Sequence, residues 1–198
     1  MTFPVEINVL DYSINLHFVC ETFAFFIGFR YFMYLRKETE DLISDTNRLI
    51  ILIGATSGAF MFSRLLGAME NPVEWFNHDS FWLYLYSNKT IVGGLLGGLL
   101  TTELTKHIIG VKYSSGDLYT YPLILAIIIG RIGCFSMGIY EETYGEETVF
   151  FTGMDLGDDL MRHPVTLYEI FYLFVLWFIL KKSESRYKFK NGVRFQLF

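Results

Sequence analysis

The chain has 198 residues, of which 52% are hydrophobic and 18% aromatic, with a formal net charge of -5 and a mean hydropathy of +0.35. That apolar balance excludes an ordinary soluble domain, the length fits one domain better than two, and the negative charge gives no footing for a nucleic-acid partner. Cys20 and Cys134 lie in apolar stretches with no CxxC spacing, so they read as free thiols and not as a disulfide or zinc site.

The N-terminal run MTFPVEINVLDY holds no basic residue, so it lacks the positive region of a cleavable signal peptide and the first apolar stretch is expected to be retained. Five stretches then meet the length of roughly 20 residues that a helical span requires: Ser13–Leu35, Leu49–Met69, Thr90–Val111, Leu118–Ile139 and Val165–Leu180. Between the second and third lies Asn71–Ser87, whose Trp75, Phe76, Phe81, Trp82, Tyr84 and Tyr86 suit the headgroup region of a bilayer. Between the fourth and fifth, residues 140–164 form an acidic loop with Arg162 as its single basic residue. The expected fold is an all-α, polytopic membrane bundle of about five transmembrane helices. One domain covers residues 1–198, with the interfacial segment 71–87, the loop 140–164 and the start of a sixth helix at the C-terminus.

Basic residues fall on alternate connections. Arg36, Lys37 and Arg48 follow the first span, Lys106 and Lys112 flank the end of the third, and Lys181, Lys182, Arg186, Lys188, Lys190 and Arg194 follow the fifth. The positive-inside rule therefore predicts the N-terminus and the loop 140–164 outside and the basic tail in the cytoplasm.

This topology fixes depth. Arg64 lies 16 residues past Arg48, and Arg131 lies 14 past Asp117, which at about 1.5 Å of rise per residue puts both roughly 21 to 24 Å from the inner face. Glu21 on the first span and Glu169 on the fifth fall at a similar level. Glu103 sits near the inner end of the third span, and Arg30 is close enough to the cytoplasmic end of the first to snorkel. Charges at such depth mark functional sites by default. Two arginines and two glutamates also satisfy a plainer arrangement of interhelical ion pairs that fix packing. In the functional reading, the guanidinium forks of Arg131 and Arg64 suit a phosphate, and the phosphate native to that depth is a phospholipid headgroup.

The run VGGLLGGLL overlaps two GxxxG pairs, Gly93/Gly97 and Gly94/Gly98, which are expected to pack helices and not to touch a ligand. No GxxxxGK[ST] is present to form a nucleotide loop. His17, His78, His107 and His163 show no ligand spacing, so neither a metal site nor a cofactor is expected. A transporter is disfavoured by the absence of an internal repeat or a continuous polar path.

The order SRLLGAMEN, KTIVGGLLGG, GDLYTYP, GRIGCFSMG, TYG and RHPVTLYE, spread from Ser63 to Glu169, resembles the prolipoprotein diacylglyceryl transferase (Lgt) family. The resemblance implies a multi-pass enzyme of the bacterial inner membrane. Such an enzyme moves the diacylglyceryl group of phosphatidylglycerol to the lipobox cysteine of a preprolipoprotein and releases glycerol phosphate. It implies that Arg131 binds the phosphatidylglycerol headgroup, with Gly130 and Gly133 beside it in the motif. Arg64 is a second candidate for the phosphate. Tyr168 and Glu169 are expected to orient the site, and Glu21 or His163 to take the thiol proton; His163 equally suits a structural role in the turn into the fifth span.

The chain departs from the family pattern at several places. Val92 stands where the family usually has a histidine, Cys134 and Met137 replace two asparagines, and Ile139 replaces a glutamate. A tyrosine expected in the first span is matched by Val19 or Glu21. NGVRFQLF begins a new apolar segment where the family continues into further spans, so the chain is expected to be short at its C-terminus. A catalytically silent relative that binds anionic phospholipid or a protein partner is the alternative these departures motivate.

Overall fold

The structure is a computed structural model that describes residues 3–9, 12–39, 41–114, 116–187 and 192–198; Lys188 and Lys190 of the basic tail lie outside the described residues. In chain order the elements are strands β1 (Glu6–Val9) and β2 (Tyr12–Asn15), helices α1 (Leu16–Glu38), α2 (Asp45–Met69), α3 (Pro72–Asn77), α4 (Phe81–Ser87), α5 (Ile91–Ile108) and α6 (Asp117–Met137), strands β3 (Met154–Asp155) and β4 (Met161–Arg162), and helices α7 (Val165–Arg186) and α8 (Val193–Leu197). Helices α1, α2, α5, α6 and α7 stand where the five spans are expected. Among them α1, α2 and α6 are long and apolar enough to cross a membrane by length and composition. This is the architecture of a polytopic helical membrane protein.

The helix ends follow local chemistry. Helix α1 starts at Leu16, later than expected, because residues 12–15 pair antiparallel with residues 6–9 in a hairpin, and Asn15 accepts the His17 N–H at 2.8 Å as an N-cap. Helix α6 ends where Gly138 takes φ +57, a left-handed conformation that suits glycine. Helix α7 begins directly after Pro164 and runs past Leu180 through Lys181 and Lys182.

The chain divides into two compact units, Met1–Glu40 with Ser114–Phe198, and Asp41–Tyr113. In the first, α6 packs against α1 and α7. Tyr121, Ile124 and Ile128 of α6 meet Leu173 and Leu180 of α7, and Phe32 of α1 stacks on Tyr119 at 4.6 Å. The Asp117 carboxylate accepts the N–H groups of Gly192 at 2.6 Å and Phe195 at 3.0 Å, which ties the short α8 to the start of α6. Large apolar side chains on the outer face of α1, such as Phe25 at 81% exposure, have no protein cover and suit lipid.

In the second unit α2 packs against α5. The segment between them folds into α3 and α4, with Trp75 stacked on Phe81 at 4.8 Å and buried with Ala68 and Tyr84. Arg48, which the sequence places among the connection charges, is buried at the start of α2 and donates from Nε and Nη2 to the Asp41 carboxylate, each at 2.7 Å.

The two GxxxG pairs are not equivalent. A Cβ on Gly97 would run into Phe62 and the Gly58 carbonyl, and one on Gly93 into the backbone at Phe62 and Ser63. A Cβ on Gly94 or Gly98 would rest at 3.8 Å and 3.5 Å from its nearest neighbours, in ordinary contact. Gly97→Ala should therefore destabilise the α2–α5 pair by about 1–3 kcal/mol, while Gly94→Ala changes little. Thermal unfolding of the two variants in detergent checks this, and equal midpoints would contradict the packing.

Candidate anion site around Arg131

The site is built where three elements of the first unit end. Arg131 sits near the end of α6, His17 and Glu21 lie in the first turns of α1, and Glu169 lies in the first turns of α7. Gly133 lets α1 approach α6 closely: a Cβ there would lie 2.9 Å from both Cys20 Cβ and His17 Cδ2. Around Gly130 a Cβ would meet nothing within 4 Å, so no close contact among the described residues demands glycine at that place.

Arg131 has a side chain only 15% exposed. Its Nη2 donates to Glu169 Oε1 at 2.8 Å, and its Nε lies 2.7 Å from Oε2. The carboxylate thus engages one side of the guanidinium and offsets a charge that would otherwise be costly inside a span. Nη1 is turned instead toward Cys134 Sγ, 3.9 Å away. The ion-pair arrangement and an arginine with donor capacity remaining are therefore compatible.

Beyond Cys134 lies a second group of ionisable side chains. His17 Nδ1 is 3.3 Å from Glu141 Oε2 and its Nε2 is 3.6 Å from Glu21 Oε1. Cys134 Sγ is 3.9 Å from His17 Nε2 and 3.8 Å from Glu141 Oε1. Glu141 reaches this place because the chain turns at Gly138, where a Cβ would collide with the Leu156 carbonyl, and passes through a single 3-10 turn, Gly138–Tyr140. His17 and Glu141 escape a reading of the sequence alone. The one available signal was the i, i+4 spacing of His17 and Glu21 on a helix.

Other expected site residues go elsewhere. His163 donates its N–H to the Glu146 carbonyl at 3.0 Å, accepts from the N–H groups of Gly145 and Val165, and has Nδ1 3.1 Å from Tyr168 Oη. Tyr168 also shares a hydrogen bond with Thr152. Both side chains thus tie α7 to the loop before it. Met137 accepts a contact from Asn15 Nδ2 at 3.1 Å, and the Ile139 N–H donates to the Leu156 carbonyl at 3.1 Å. Val92 is exposed on α5.

Arg64 belongs to the second unit. Its guanidinium lies over the Tyr86 ring at 4.4 Å and the Phe60 ring at 5.1 Å and donates to the Tyr86 carbonyl. It borders an apolar groove of about 390 Å³ lined also by Leu65 and Trp82. Glu103 pairs with Lys106 at 2.8 Å in the last turns of α5.

In the loop, Arg162 Nε donates to Asp158 at 2.8 Å, and its guanidinium lies over Tyr144 at 5.0 Å. The Arg162 hydrogen bond holds the Asp158 carboxyl below the usual carboxylate range. A depressed carboxylate contributes stability that is present above its unfolded value of about 3.9 and is lost as pH falls through the lower folded value. Exchange protection of the Thr148 and His163 amides, whose hydrogen bonds close this loop, should hold from pH 7 to about 4 and fall below it. In Asp158→Asn it should already be reduced at neutral pH, and identical protection in variant and parent would contradict the assignment.

Residues 4–198 match the family model described as prolipoprotein diacylglyceryl transferase. The chain is 29% identical over 181 residues to a phosphatidylglycerol–prolipoprotein diacylglyceryl transferase of the Wolbachia of Brugia malayi, covering 86% of this chain and 66% of that protein. It is 30% identical to the protein of that name in the Wolbachia of Culex pipiens, over 75% of this chain and 57% of the relative. The like-named protein of Fusobacterium nucleatum is 25% identical, over 90% and 77% of the two chains. The chain thus spans 57% to 66% of the length of the two Wolbachia relatives.

Proposed function

This chain belongs to the prolipoprotein diacylglyceryl transferase family, and from that premise we propose that it transfers the diacylglyceryl group of phosphatidylglycerol to the lipobox cysteine of a preprolipoprotein. Its proposed place is the bacterial inner membrane, with the N-terminus and the loop 140–164 outside. The observation that carries the reading is the side-on pairing of Arg131 with Glu169, which fixes the guanidinium and leaves Nη1 on the side of Cys134.

In this reading the substrate thiolate attacks the glycerol carbon, a carbon–sulfur bond forms, and the bond from that carbon to the phosphate oxygen breaks. The electron pair leaves on the phosphate, and Arg131 stabilises the charge that develops there. Glu169 is a positioning residue, since it acts through the arginine. The thiol proton goes to Glu21, whose carboxylate is 42% exposed beside His17, in preference to His163, which is engaged with Tyr168 and the loop backbone. Arg64, within its own unit, combines a guanidinium with an apolar groove, a pairing of chemistries that suits a lipid phosphate and an acyl chain. Gly130, Gly133, Tyr168, Gly93, Gly94, Gly97 and Gly98 serve the scaffold.

The chain should restore diacylglyceryl modification of a lipobox reporter in cells depleted of their own transferase. Arg131→Ala should lower the modification rate by about 10²–10³-fold, as loss of one charge-stabilising donor does elsewhere, and Arg131→Lys should recover only part of it. Glu103→Gln should be tolerated. No modification despite confirmed membrane insertion would overturn the transferase reading, and equal loss in the Arg131 and Glu103 variants would overturn the site.

A further inference from the structure

We propose that His17, Cys134 and Glu141 form a binding site for a borderline-soft divalent cation of the Zn2+ type. The three side chains come from the start of α1, the end of α6 and the segment after Gly138, and one donor atom from each lies within 4.8 Å of the other two. An imidazole nitrogen, a thiolate sulfur and a carboxylate oxygen are the donor set that zinc accepts, whereas the sulfur disfavours magnesium and calcium.

The spacing is close to what coordination needs. Bonds of about 2.0 to 2.3 Å in a tetrahedron set neighbouring donor atoms roughly 3.3 to 3.8 Å apart. One donor atom from each of the three residues lies within 4.8 Å of the other two. The closest approaches, 3.3 Å from His17 Nδ1 to Glu141 Oε2, 3.8 Å from Cys134 Sγ to Glu141 Oε1 and 3.9 Å from Cys134 Sγ to His17 Nε2, draw on both ring nitrogens and both carboxylate oxygens. Rotation of the His17 ring and the Glu141 carboxylate would bring one donor from each onto an ion beside Cys134. The donors are held by independent devices: the Asn15 cap fixes the first turn of α1, Gly133 brings α1 against α6, and Gly138 turns Glu141 back.

Charge also agrees. On binding, the Cys134 S–H bond breaks, a sulfur–metal bond forms and the proton passes to solvent, so one thiolate and one carboxylate neutralise the dication. Arg131 Nη1 lies 3.9 Å from the Cys134 sulfur, and the Glu169 carboxylate paired with the same guanidinium offsets its charge. With Nδ1 of His17, the nitrogen nearer Glu141, on the metal, Nε2 can donate to a carboxylate, and Glu21 Oε1 lies 3.6 Å from it. Three protein donors leave a fourth coordination place for water or another ligand. This site adjoins Arg131 and Glu21 of the proposed transferase site, and its test reads metal and not lipid transfer, so its failure is distinguishable from that of the transferase reading.

The full chain, purified in detergent and stripped with chelator, would be titrated with Co2+ and then Zn2+. The expected result is one equivalent bound per chain, a near-ultraviolet thiolate-to-cobalt charge-transfer band, and displacement by Zn2+. Cys20→Ser should retain the band, Cys134→Ser should lose it, and His17→Gln or Glu141→Gln should weaken binding by about tenfold or more. In the unmutated chain Zn2+ should slow alkylation of Cys134 relative to Cys20, a measurement that needs no variant to fold. Absence of the band, a band that survives Cys134→Ser, or alkylation of Cys134 unaffected by Zn2+ would overturn the proposal.

Discussion

An arginine inside an apolar helix costs about 2.5–3.5 kcal/mol near the middle of a span unless something compensates it, and in this chain the compensation is Glu169. The pair joins the end of α6 to the start of α7. Its geometry also decides what else is possible. Because the carboxylate engages Nε and Nη2, Nη1 is left on the side of Cys134. Packing and chemistry are therefore two consequences of one ion pair, and the proposed phosphate ligand is an arginine already held in place before lipid arrives.

The scaffold around that pair depends on small residues at particular places. Gly133 allows α1 to lie against α6 closely enough for His17 to reach Cys134, and Gly138 turns the chain so that Glu141 returns to the same spot. In the other unit Gly93 and Gly97 serve α2 and α5 in the same way. None of these glycines need touch a ligand to matter, because each sets the distance over which neighbouring side chains can interact.

Much of this was legible in the sequence. The five long helices follow from apolar length, and the helical rise counted from the inner face puts Arg131 and Glu169 near enough in depth for the pairing that the structure shows. What was not legible depends on rotation and on pairing. Two GxxxG pairs with the same spacing both lie against α2 but differ in distance, since only Gly93 and Gly97 come too close to it for a Cβ. Arg48 counts as a connection charge in the sequence but is buried against Asp41 in the structure. The N-terminal hairpin does alternate polar and apolar residues in EINV and YSIN, but each strand is only four residues long and the second runs directly into the first apolar stretch. His17 and Glu141 lie 124 positions apart, so only the tertiary fold could bring them together. His163 was attractive as a base because it adjoins the fifth span, but its backbone and ring are spent on the loop and Tyr168.

The central claim is that the Arg131 donors left over by Glu169 hold a lipid phosphate. Calorimetric titration of a short-chain phosphatidylglycerol into the detergent-solubilised chain tests it directly, with the matching neutral diacylglycerol as reference. A charge-assisted hydrogen bond contributes about 1.5–3 kcal/mol, so Arg131→Ala should weaken phosphatidylglycerol binding by about 10- to 100-fold and leave the neutral lipid unchanged. Phosphatidylglycerol binding of equal strength with and without the arginine would contradict the account.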